Sequence, residues 1–142
     1  MSKIYINGKE PTKSNDKSSQ AIGSQQTNVD NVTDTYLGEI DLQDASWQSF
    51  TLEVKIAQPA GDESANDFTL FWGFCSSSLT TNGPTQLSTC ESSLTCNLTT
   101  GNTTRYYMTD ALSPKARYLN VWYDCDNLTA PITSVDVSIN KL

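Results

Sequence analysis

The chain has 142 residues and no histidine. That absence removes the commonest general base, the Ser-His and Cys-His nucleophile pairs and every histidine-containing metal site. No apolar run approaches the roughly 18 residues that a membrane-spanning helix needs. The first residues, Met1-Ser-Lys-Ile-Tyr-Ile-Asn-Gly, lack the apolar centre of a secretory signal. Synthesis in a cytoplasm is therefore the expectation. The serines after Cys75 lack a Gly-x-Ser-x-Gly elbow. Nothing in the sequence selects a pair of carboxylates for acid–base work. The expectation is a protein that is not an enzyme and carries no cofactor.

What is present falls into two regions with different chemistry. After a short apolar patch, Ile4-Tyr5-Ile6, the chain from Pro11 to Asp34 is almost entirely Ser, Thr, Asn, Gln, Asp and Lys, interrupted only by Ala21, Ile22, Gly23, Val29 and Val32. Such a stretch offers little apolar burial to offset an ordering entropy of about 1–2 kcal/mol per residue. Residues 1–35 therefore read as an extended polar arm, and 36–142 as a single β domain. The net charge of −7 is uneven, because residues 1–20 carry Lys3, Lys9, Lys13 and Lys17 against Glu10 and Asp16. An acidic body repels phosphate backbones, which argues against nucleic acid as a partner. The weakly basic arm suits an acidic protein surface.

Beyond residue 35 the hydrophobic pattern has a period of two. Phe50, Leu52, Val54 and Ile56 alternate with Ser49, Thr51, Glu53 and Lys55, which places the apolar set on one face of a half-buried strand. Trp47 joins that expected core. Tyr36, Gly38, Ile40 and Leu42 are expected to share a face, with Leu37 as an exception. Phe68 to Cys75 is apolar on both faces and reads as a central strand. Further strands are expected around Leu87–Cys90, Leu94–Leu98, Arg105–Thr109, Arg117–Asp124 and Thr133–Leu142, with Val135, Val137 and Ile139 facing inward. About seven short strands with turn residues between them and no amphipathic helix predict an all-β, antiparallel β-sandwich, immunoglobulin-like or jelly-roll.

Four cysteines, Cys75, Cys90, Cys96 and Cys125, leave three disulfide pairings open, and free thiols are a further possibility. Cys75 with Cys125 joins two strand ends, and Cys90 with Cys96 closes a small loop. The spacing is wrong for a tetrathiolate zinc site. Asp124, Asp126 and Asn127 lack the Gly and final Glu of a calcium loop and read as an Asx turn. No metal is expected. Asn31, Asn97, Asn102 and Asn127 head glycosylation sequons, but about three are expected by chance in so Ser/Thr/Asn-rich a chain. Trp72, Tyr106, Tyr107, Trp122 and Tyr123 could form a sugar-stacking platform, although on a sandwich they suit core packing better.

A polar N-terminal arm before a compact β domain resembles the small head-decoration, or cement, proteins of tailed bacteriophages. The stretch from Ala116 to Ile139, with Arg117-Tyr-Leu-Asn-Val-Trp-Tyr-Asp and Val135-Asp-Val-Ser-Ile, is similar in style to such virion proteins. The resemblance implies a structural protein on the capsid surface of the virion that binds the major capsid protein, often as a homotrimer, with neither membrane nor nucleic acid as partner. In that setting Ile4, Tyr5 and Ile6 are the expected apolar anchor, flanked by Lys3 and Lys9, and able to add as a strand to a neighbour's sheet edge. The competing expectation is a carbohydrate-binding or adhesin-like module.

Overall fold

The computed structural model describes residues 18–43, 47–57, 66–79, 92–98, 104–125 and 131–142. Among them are nine strands and no helix: β1 (Ser19–Ala21), β2 (Gln26–Val29), β3 (Val32–Asp41), β4 (Phe50–Ala57), β5 (Asn66–Cys75), β6 (Ser92–Leu98), β7 (Thr104–Met108), β8 (Tyr118–Cys125) and β9 (Ile132–Lys141). They form two antiparallel sheets. One runs β1-β9-β4-β7 with β2 also on β9, and the other runs β3-β8-β5-β6. The fold is the expected antiparallel β-sandwich. The strand expected around Leu87–Cys90 lies outside the described residues.

The period-two pattern decides which side of each strand is buried. Phe50, Leu52, Val54 and Ile56 are fully buried, and they face Ile139, Val137 and Val135 of β9 by register. Across the sandwich they meet Phe68, Leu70 and Trp72 of β5 and Leu119, Val121 and Tyr123 of β8. Trp47 closes one end of this core, with the Lys141 ammonium 5.3 Å from its ring centre. At about 25 cal/mol per Å² of apolar surface buried, this shared interior is the main stabilising term of the fold.

Two expectations need correction. Tyr36 and Gly38 do not share a face. The pairing of β3 with β8 slips between them, so that Tyr36 stands opposite Trp122 and Gly38 opposite Val121. Leu37 is the extra residue of that bulge and packs on the core. One inserted residue moves everything on one side of it to the other face. The second correction is the boundary between arm and body, expected at residue 35. Residues 19–21 and 26–29 pair with β9, and Ile22 and Val29 are buried in the core. Their polar composition does not prevent this, because strand addition is held by main-chain hydrogen bonds and needs few apolar anchors.

Candidate functional site

The attachment of residues 18–29 is the first place where structure speaks to function. Ser18 C=O accepts from Lys141 N–H at 2.9 Å, and Ile22 N–H donates to Val137 C=O at 2.8 Å. Side chains reinforce the ladder: the Ser19 hydroxyl donates to Asn140 Oδ1 at 2.8 Å, and the Gln25 amide donates to both Asp136 carboxylate oxygens at 2.9 and 3.1 Å. Between β1 and β2 the chain turns at Gly23, which has φ +66°. A Cβ there would lie 2.3 Å from the Leu37 carbonyl oxygen, and a Cβ on Gly38 would lie 2.9 Å from Gly23 N. Two glycines thus allow this turn to seat directly against β3. The Tyr123 hydroxyl donates to Gln26 Oε1 at 3.1 Å and ties β2 to the opposite sheet. These contacts join the two sheets on this side, where β1, β2 and β3 each pair with one strand only among the described residues.

The other side is bounded by β6 and β7. Each pairs with one strand only among the described residues. Between them a cleft of about 580 Å³ is floored by Trp72, Phe74 and Leu94 and rimmed by Met108, Asp110 and Leu112. Phe74 and Leu94 belong by register to the inward face of their sheet, yet they keep partial exposure here. On β7 the outward side chains Tyr106 and Met108 are 62% and 55% exposed. The Lys55 ammonium lies 5.9 Å from the Tyr106 ring centre.

A polar network occupies the outward face of the four-stranded sheet. The Tyr36 hydroxyl donates to Asn120 Oδ1 at 2.7 Å, and the Tyr36 ring meets Trp122 edge-on at 5.6 Å. Asn120 is fully buried, and its Nδ2 has no partner among the described residues. Glu39 accepts the Ser78 hydroxyl at 2.6 Å and the Leu79 N–H at 2.7 Å. This holds the chain leaving β5 back across β8 onto β3. Burial, then the Glu39 carboxylate, then Cys75, push the Tyr36 phenol up to about 12. Burial and Glu39 also push the Cys75 thiol up, opposite to what a reactive thiolate needs. The network clamps the chain leaving β5 to β3.

The sequence-predicted residues fare unevenly. Lys3, Ile4, Tyr5, Ile6 and Lys9 lie outside the described residues, as does Cys90. Cys75 is a free thiol. Of the pairings left open, the one with Cys125 is excluded by the antiparallel register. Cys75 stands opposite Tyr118 and Cys125 opposite Phe68, at the two ends of the β5–β8 ladder. Seven residues of strand separate the two levels, over 20 Å at about 3.4 Å per residue, far beyond disulfide reach. Cys96 and Cys125 flank Phe68 from opposite sides on the buried face, two strand spacings apart. Trp72, Trp122 and Tyr123 are buried and Tyr107 is partly buried, which leaves Tyr106 alone of the five aromatics in water. No stacking platform is assembled. Asp124 accepts the Asp34 N–H at 2.6 Å, where Asp34 has φ +47°, so it serves the backbone of a bulge. Among the described residues no group of three or more acidic or sulfur side chains is placed to hold a metal, and no helix is long and apolar enough to cross a membrane. The open β7 edge was not anticipated; the signal available was Tyr106 and Met108, large apolar side chains two positions apart on a short polar strand. No family model, curated protein or solved structure matches the chain.

Proposed function

We propose that the protein is a structural attachment protein that fastens to the outer surface of a tailed-phage capsid, binds the major capsid protein and stabilises the shell, working as an oligomer. The observation that carries this reading is the way residues 18–29 are held. A Ser/Thr/Asn/Gln-rich segment of this chain adds to a sheet edge through main-chain hydrogen bonds, pinned by the two apolar residues Ile22 and Val29. The preceding segment is also mostly polar, although it carries four lysines with Glu10 and Asp16 where residues 18–29 carry no charge, and it has its own apolar cluster, Ile4-Tyr5-Ile6, with Lys3 and Lys9 beside it. It suits the same mode of binding on a neighbour. Segments that order on binding cover large areas at an entropic cost, and repetition on a lattice multiplies weak contacts into firm attachment.

The test is occupancy of purified capsids by the full chain and by a chain lacking residues 1–17, at matched concentration. The full chain should bind and raise the temperature at which particles rupture, because a ligand of the assembled state stabilises it by mass action. The shortened chain should bind much more weakly. Equal occupancy by the two would overturn the role of the segment. The carbohydrate-binding alternative loses its main support, since only Tyr106 of the five candidate aromatics remains exposed.

A further inference from the structure

We infer that the receiving site for Ile4-Tyr5-Ile6 is the β7 edge of a second copy of this chain, an edge that no described strand pairs, so that copies link by exchanging N-terminal segments. The inference rests on the reading of that segment as a strand-adding anchor, and it names one partner. The hydrogen bonding of β7 comes first. Thr109 N–H donates to Leu52 C=O at 3.0 Å, and the two residues stand opposite each other in the continued β4–β7 register. Exchanging pairs alternate along an antiparallel ladder. Tyr107 and Arg105 therefore direct their main-chain groups at β4, while Thr104, Tyr106 and Met108 direct theirs at the free edge. Proteins ordinarily guard such an edge with lysine, proline or a bulge. Here the edge-facing positions carry Thr, Tyr and Met, and two of the three exposed large hydrophobic residues of the described structure lie on this one strand.

The occupant must be apolar on both faces. A strand added beside β7 points alternate side chains into the cleft between the sheets, over Phe74 and Leu94, and the others outward beside Tyr106 and Met108. Ile-Tyr-Ile supplies Ile4 and Ile6 to one side and Tyr5 to the other. The β6 edge fits less well, because its outward side chains are Ser93, Thr95 and Asn97. Reach is adequate. The body begins at Ser18, beside Lys141, and Lys141, Phe50 and Leu112 then lie in one row across the sheet to the cleft rim. The twelve Cα-to-Cα steps from Ile6 to Ser18 can reach at most about 40 Å, comparable to the diameter of a body of this size, roughly 35–40 Å. The segment is long enough to pass its own body and meet a neighbour. Such a head-to-tail contact closes into a ring or extends along a lattice.

The test is a complementation experiment read by sedimentation. One variant changes Ile4, Tyr5 and Ile6 to Ser and keeps its edge. The other is Tyr106→Pro, which removes an N–H directed at the free edge and keeps its arm; Met108→Lys serves as a second edge variant should the first fail to fold. The full chain should sediment as an oligomer, and each variant alone at its monomer mass of 15.6 kDa. Mixed, the arm variant and an edge variant should form a one-to-one dimer and nothing larger, because only one arm and one edge remain. A full chain that is monomeric at all concentrations, an arm variant that still self-associates, or two variants that never combine would each overturn the inference. Capsid occupancy is a separate readout, so arm exchange can fail while lattice attachment survives.

Discussion

On the outward face of the four-stranded sheet Trp122 has no solvent exposure, while on the outward face of the five-stranded sheet Tyr106 keeps 62% of its surface in water. Both side chains point away from the shared core, and both belong to strands with an exposed-side neighbour of opposite character. The difference lies in what surrounds them. Trp122 sits between Tyr36 and Phe71 by register, and on the same face Glu39 holds the chain at Ser78 and Leu79. Over Tyr106, Glu53, Lys55, Asp136 and Ser138 no described segment passes, and those residues pair across strands as a solvated surface does. Outward side chains are thus buried in the middle of the four-stranded sheet, at Trp122 and Asn120, and exposed at Tyr106 and Met108 on the other.

The largest effect is expected at Trp122. Trp122→Ala should cost about 3–5 kcal/mol, the range for truncating a large buried aromatic, whereas Lys55→Ala on the opposite outer face should stay within about 0.5 kcal/mol. Equal denaturation midpoints for the two variants would show that the outer faces do not differ.

A smaller effect is expected at Tyr36. Tyr36→Phe leaves Asn120 buried with neither amide atom bonded, at a cost of about 1–3 kcal/mol near neutral pH. The phenol's folded value of about 12 stands above its ordinary 10.0. The protonated form therefore favours folding: its contribution is complete below pH 10 and is lost as pH rises toward 12. The stability gap between the native chain and Tyr36→Phe should narrow over that window. A gap that stays constant from pH 8 to 12 would show that the hydroxyl is not held as described.

The smallest effect concerns the rim. Arg117 donates from Nε and Nη2 to both Asp41 oxygens at 3.1 and 2.9 Å, and these bonds hold the Asp41 carboxyl below its ordinary value. A lowered carboxyl contributes stability above its ordinary titration range, and that contribution disappears as pH falls through the lowered value. The pair is exposed and screened by salt. Arg117→Ala should return the Asp41 titration, followed by NMR, toward the ordinary aspartate range while scarcely changing the neutral-pH melting temperature.

The sandwich was legible because β4, β5, β8 and β9 write their burial in side chains. Phe50-x-Leu-x-Val-x-Ile needs no partner to declare its inward face. Residues 19–29 were illegible for the opposite reason: their places on β9 are held by main-chain groups, which every residue type carries, and only Ile22 and Val29 hint at it. The face occupied by Tyr36 was hidden by the bulge at Leu37, since one unpaired residue inverts an alternation without altering composition. The Cys75–Cys125 pairing failed because two strand-ending cysteines meet only if the strands run parallel, and sequence does not state direction. Of the candidate site, Tyr106 and Met108 were visible as residues, but that β7 ends its sheet is a property of topology.

The strand that organises the five-stranded sheet is β9, and β1, β2 and β4 all pair with it. In the order of translation it follows every one of them by at least 75 residues. At about 5–20 residues per second, the apolar face of β4 waits several seconds on the ribosome before its partner emerges. During that interval Leu52, Val54 and Ile56 lack their β9 partners and are available to chaperones. Residues 18–29 gain their place only when the last strand arrives. Any arm exchanged between copies is therefore offered by chains whose β9 edge residues 18–29 have already taken.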